Sequence, residues 1–190
     1  MAELVLEPTS TAQWHALVSE AARACRSELD ESLESYLVFL LMRFATRADV
    51  AARVLALDYL RSVGSRGRVQ AQQLREVGDH CLLYSGLYPR RAERRLLRVS
   101  YFVGLGRTSY RQVSQVLHQG GAEVYARLAE CFVGLMDVLQ AMRSLDGGSA
   151  LDPLGAAELW QDTGSRQARD TLAGATAAVP APRKGPQRFH

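Results

Sequence analysis

Apolar residues fall at spacings of three and four along most of the chain, a rhythm that predicts a succession of amphipathic helices. Behind the hydroxyl cluster at Ser10 and Thr11, Trp14, Leu17, Val18, Ala21 and Cys25 mark a first helix running to about Glu28. Asp30 precedes a second, in which Leu33, Tyr36, Leu37, Leu40, Leu41 and Phe44 keep helical period while Val38, Phe39 and Met42 fill the other faces. A helix apolar nearly all round is expected at the centre of a bundle. Asp49 is placed to cap a third helix through Val50, Val54, Leu57 and Leu60, which the stretch from Gly64 to Gly67 stops. The fourth is expected from about Val69 to Leu87, with Leu74, Val77, Cys81 and Tyr84 on one stripe and Gly86 and Pro89 at its end.

A fifth helix starts at Arg90 or Val99 and reaches Leu117, carrying Phe102, Leu105, Ser109, Val113 and Val116. Gly104 and Gly106 lie inside it, where each glycine costs about 1 kcal/mol relative to alanine, so their presence points to a close helix crossing or a break. In the sixth, Tyr125, Leu128, Phe132, Leu135, Leu139 and Met142 alternate steps of three and four. Such a seam serves either inside a bundle or between two chains, and a homodimer through Leu128, Phe132, Leu135, Leu139 and Met142 is the second expectation. A short helix is expected from Pro153 to Trp160, and the Gly-, Ala-, Pro- and Arg-rich residues beyond Gly164 read as a disordered basic tail. The fold class expected is therefore all-α: a bundle of about six helices within residues 1–150, a helical appendix at 151–163 and a tail at 164–190.

Composition narrows the class further. Of 190 residues 47% are apolar, enough for a core, and the densest apolar run, Tyr36 to Met42, is far short of the roughly 20 residues a membrane span needs. Acidic residues Glu3 and Glu7 stand where a secretory leader carries bases, so a cytoplasmic protein is expected. Three widely spaced cysteines, Cys25, Cys81 and Cys131, read as reduced thiols in helices rather than as a disulfide framework.

The formal net charge of +3 hides a segregation. Residues 89–111 carry seven Arg against Glu93 alone, while residues 1–60 have a net charge of −4 and 112–162 of −5. Arg91, Arg94, Arg95 and Arg98 share one helical face. This stripe fits docking to a protein partner with an acidic surface, or pairing with the acidic helices of its own chain. Nucleic-acid binding through the Arg-rich segment and the basic tail is a further alternative without corroboration: no binding-fold signature or interleaved aromatic set accompanies the bases, and the overall charge is low. Lys184 is the only lysine among 23 bases, a bias that reflects a GC-rich genome more than phosphate recognition.

The densest set of polar side chains spans residues 77–110. Gly78-Asp79, Ser85-Gly86-Leu87, Pro89, Tyr101-Phe102, Gly106 and Tyr110 resemble the pattern of a widespread uncharacterised bacterial family of small helical proteins. The resemblance covers about residues 77 to 110 and implies no activity. Asp79, His80 and Tyr84 on one helix and Tyr101 and Tyr110 on the next would converge if the two pack antiparallel, giving a pocket in which Asp79 orients His80 or a tyrosine hydroxyl. The structural alternative is a buried Asp79 paired with Arg94, Arg98 or Arg107, with the tyrosines in the core and their hydroxyls at its edge. No metal is expected, since the four His and three Cys contain no pair at ligand spacing. No cofactor is expected either: Gly104-Leu105-Gly106 follows no strand and lacks the third glycine of a dinucleotide motif. The function expected on these grounds is a non-catalytic regulatory or adaptor protein docking through Arg91, Arg94, Arg95 and Arg98. A small-molecule binding protein or enzyme with its pocket around Asp79, His80, Tyr84, Tyr101 and Tyr110 is the rival.

Overall fold

In a computed structural model that describes residues 10–45, 55–89, 98–117, 121–145, 147 and 151–175, helix follows helix with no strand among those residues. The helices are α1 (Ser10–Ala24), α2 (Glu31–Ala45), α3 (Leu55–Val63), α4 (Gly67–Gly86), α5 (Val99–Val116), α6 (Ala122–Glu130), α7 (Phe132–Leu145), α8 (Pro153–Thr163) and α9 (Arg166–Ala175). The all-α expectation holds. No described helix is long and apolar enough to cross a membrane.

Local chemistry accounts for several boundaries. Asp30 Oδ1 accepts the backbone N–H groups of Ser32 at 2.8 Å and Leu33 at 3.1 Å, the N-cap expected before α2. Asp152 accepts from Gly155 N at 2.9 Å with Pro153 in the first turn, and α8 ends at Gly164 in the left-handed region at φ 75°. The cap assigned to Asp49 lies outside the described residues.

The central helix is α4, not α2. Every residue from Val77 to Gly86 is buried, whereas α2 leaves Phe39 63% exposed. The correction has a steric cause: α4 is central because it is thin. A Cβ on Gly78 would lie 2.6 Å from the Tyr110 ring, and one on Gly86 2.5 Å from Leu139 Cβ, so α5 and α7 approach the α4 backbone more closely than any side chain there would permit. Buried Ser85 closes its hydroxyl on Cys81 O at 2.8 Å, and Gln140 of α7 donates to Ser85 O at 2.9 Å. Around this axis α5 covers α4 most extensively, α3 and α7 flank it, and α1 packs on α2 and α7.

Three further expectations are corrected. The predicted sixth helix is two, α6 and α7, meeting at Cys131; the seam it carries is internal, since Leu128, Phe132, Leu135 and Leu139 are fully buried within the chain and Met142 is half-buried against the same core. That seam is therefore not an available dimer face. The helix expected from Pro153 to Trp160 runs on to Thr163, within the appendix expected at 151–163, and buries Ala156 and Leu159. Residues 166–175, expected in the tail, form α9. Its N-terminus is anchored by Asp137 of α7, whose oxygens accept from Ser165 Oγ at 2.5 Å and Arg166 N at 2.9 Å. The remainder of the tail, 176–190, lies outside the described residues.

Candidate functional site

Asp79 lies on the fully buried stretch of α4, and a carboxylate without solvent must be neutralised and hydrogen-bonded by its neighbours. Four side chains do this. The hydroxyls of Tyr36 on α2 and Tyr110 on α5 both donate to Oδ1, at 2.6 and 2.7 Å. Arg43 of α2 donates to Oδ2, and the Nε of Arg75, one helical turn before Asp79, stands 3.6 Å from the same oxygen. The partners arrive by helical geometry: Tyr36 and Arg43 are seven residues apart on one face of α2, and Arg75 and Asp79 four apart on α4.

The tyrosines form a ring cluster beside the carboxylate. Tyr36 meets Tyr110 edge-on at 6.2 Å and Tyr125 of α6 edge-on at 6.0 Å, and Tyr110 and Tyr125 are 6.0 Å apart. Burial, reinforced by the charge of Asp79, pushes the Tyr36 and Tyr110 hydroxyls well above the ordinary tyrosine range. Both therefore remain protonated donors. Burial also raises Tyr125, with the Arg75 charge pulling the other way. For Arg75, burial works against the charge, but the Asp79 carboxylate outweighs it and holds the guanidinium firmly protonated.

Outside this network opens a cavity of about 430 Å³. Arg43, Arg68, Arg75, Gln72 and Glu76 provide its polar wall, and Ala71, Val113, Leu117 and Tyr125 the apolar one. Two of its guanidiniums, Arg43 and Arg75, are those held by Asp79. The third, Arg68, is exposed and makes no ion pair among the described residues. Arg75 Nε is buried and has no hydrogen-bond acceptor among the described residues.

Of the residues singled out in the sequence, the structure joins Asp79 and Tyr110 directly. His80 points elsewhere, as expected of a neighbour turned about 100° around a helix: its Nδ1 is 2.6 Å from Glu76 O and its ring meets Phe44 edge-on at 5.0 Å. Tyr84 stacks on Phe102 at 5.5 Å, and Tyr101 packs edge-on against the same Phe102 while 41% exposed. The five do not form one pocket. Among the described arginines Asp79 pairs with Arg43 and Arg75 rather than Arg98 or Arg107: Arg107 donates to Ala129 O at 3.1 Å, and Arg98 faces Glu158 at 3.4 Å and Asp162 at 4.0 Å on α8. Arg91, Arg94 and Arg95 lie outside the described residues.

Tyr36, Arg43, Arg68, Arg75 and Tyr125 were not anticipated. The i, i+4 spacing of Arg75 and Asp79 is a visible signal; the contribution of α2 depends on tertiary packing and has no local one.

Elsewhere, Ser19, His15 and Glu34 cluster without forming a nucleophile–base relay. Ser19 Oγ at 3.4 Å and Glu34 Oε1 at 3.6 Å both reach the same ring nitrogen, Nδ1, whereas a relay needs one partner on each nitrogen. Among the described residues no three His, Cys, Asp or Glu side chains gather as metal ligands. No family model, curated protein or solved structure matches the chain.

Proposed function

We propose that this chain is a cytoplasmic, non-catalytic binding protein for a small anionic molecule, which it takes into the cavity formed by α2, α4, α5 and α6. The observation that carries the reading is the convergence of Arg43, Arg68 and Arg75 on one cavity, two of them fixed from behind by a buried carboxylate. A guanidinium so held has little side-chain freedom left to lose on binding, which is the chief cost of recruiting arginine. The volume, about 430 Å³, is within the range of small-molecule sites. Binding fits better than proton transfer, because Asp79 is fully buried with its donors in place and Tyr36 and Tyr110 are held protonated.

Thermal melting in benzoate and in phenyl phosphate tests this. At 100 times its Kd a ligand adds about 2.7 kcal/mol, which for a chain of this size raises Tm by roughly 5–10 °C. The wild type gains that shift with at least one probe; Arg68→Glu, altering an exposed residue outside the Asp79 network, melts like the wild type alone but gains none. No shift with either anion, or an equal shift in Arg68→Glu, contradicts the reading.

The rival to it is docking of an acidic partner by Arg91, Arg94, Arg95 and Arg98, against which stands the pairing of Arg98 with Glu158 and Asp162 of its own chain. Reversing Arg91 and Arg95 to Glu should leave melting unchanged if they serve an acidic partner, and lower it if they pair within the chain.

A further inference from the structure

We propose that the ligand of this cavity is an amphipathic organic acid, with an oxyanion on the arginines and an apolar body, at least a ring in size, against Val113, Leu117 and Tyr125. The inference rests on the anion-binding reading above and adds the body that the arginines alone leave undefined. The apolar lining has a packing of its own. Ala71, Leu74 and Val113 form a small buried cluster apart from the main core, and Leu117 and Tyr125 pack against it half-buried. Apolar surface left partly in water next to cationic side chains is covered by a ligand that carries both kinds of group, and removing such surface from water is the dominant favourable term in most association.

A hydrated inorganic anion does not cover it. The cavity of about 430 Å³ has the space of roughly fourteen waters at about 30 Å³ each in the liquid, so phosphate or sulfate leaves most of it, and the apolar lining with it, to solvent. Tyr125 meets Tyr36 edge-on at 6.0 Å, and Tyr36, like Arg43, donates to Asp79. One carboxylate therefore braces part of the apolar lining as well as the guanidiniums, and headgroup and body are received by surfaces already in place. Leu117 lies outside that network, just past the end of α5. Its side chain lines the cavity while its backbone N–H donates to Val113 O at 3.0 Å, a bond that a substitution leaves in place, and it is the residue that selects the body.

Titration calorimetry at pH 7.5 holds the headgroup constant and varies the body. Benzoate is compared with acetate and phenyl phosphate with inorganic phosphate, while benzamide supplies the ring without a charge. In the pair whose headgroup the site accepts, the ring compound should bind at least about tenfold more tightly than its ringless partner, the gain expected from burying much of a phenyl group. Benzamide should be undetected. Leu117→Ala, which trims the apolar lining, and Leu117→Gln, which keeps its length but makes its end polar, should each cut that advantage about threefold or more while the far-ultraviolet spectrum stays helical. A ringless anion binding the wild type as tightly as its ring counterpart, or an advantage unchanged in both Leu117 variants, overturns the amphipathic assignment while leaving the anion site standing. Benzamide equal to benzoate, or no binding by any probe, overturns the anion site and this inference with it.

Discussion

Asp79 shows how a single residue commits the residues around it. Removing one member of a buried charge pair costs about 3–5 kcal/mol, because the partner is left without compensation; Asp79→Ala would strip Arg43, Arg75, Tyr36 and Tyr110 of a shared acceptor. The tyrosines provide a test that needs no mutation. Their folded-state pKa values lie above the ordinary value near 10, so the stability they contribute is fully present below about pH 10 and is lost as pH rises through the raised values. In an alkaline absorbance titration of the seven tyrosines, Tyr36 and Tyr110 should ionise only with unfolding, and all seven titrating together before the helical signal is lost would contradict the network. The thiols divide in the same way. Cys25 and Cys81 are buried and pushed up, first by burial, so a thiol reagent should modify half-buried Cys131 well before either.

At the scale of the element, what was legible depended on where the cause resides. Helix period and the Asp30 cap are local, and the sequence reads them correctly. The centrality of α4 is not local. Apolar count favours α2, but small residues let neighbours approach α4, and only the packed structure identifies Tyr110 and Leu139 as the side chains that fill the space. Two glycines on α5 make this measurable. A Cβ on Gly104 meets nothing within 4 Å, so Gly104→Ala should stabilise by roughly 0.5–1 kcal/mol through backbone entropy. A Cβ on Gly106 lies 2.5 Å from the Phe132 ring and 2.9 Å from Cys81 Cβ, so Gly106→Ala should destabilise by about 1–3 kcal/mol. Thermal melts that moved both variants in one direction would refute this assignment of faces. The α9 helix escaped sequence reading for a related reason: its N-terminus is satisfied by Asp137, 29 residues earlier than Arg166. Asp137→Ala should cost about 1–3 kcal/mol and speed amide exchange across 166–175. Asp137→Asn should cost less, since it keeps an acceptor and removes the charge that burial disfavours.

The molecule is a bundle whose central helix holds the buried carboxylate of Asp79 and whose side opens where the arginines bound to that carboxylate reach the surface. Of the candidate site, Asp79 and Tyr110 are legible in the sequence and Arg75 is within reach of an i, i+4 argument, whereas Tyr36, Arg43, Arg68 and Tyr125 are not, and His80, Tyr84 and Tyr101 face other neighbours. Polar residues close in sequence mark where a helix carries chemistry, while the partners they meet are set by which helices pack alongside. The acidic and basic blocks follow the same rule, since Arg98 finds Glu158 and Asp162 on a helix some sixty residues downstream.

The central claim is that Arg43, Arg68 and Arg75 together hold an anion in this cavity, and the most direct measurement follows the ¹⁵N–¹H guanidinium resonances of Arg43 and Arg75 during titrations with benzoate and with phenyl phosphate. The account predicts a saturable shift of those resonances with at least one of the two anions, and its loss in Arg68→Glu while the folded spectrum persists. Guanidinium signals unmoved at saturating concentrations of both anions would contradict it.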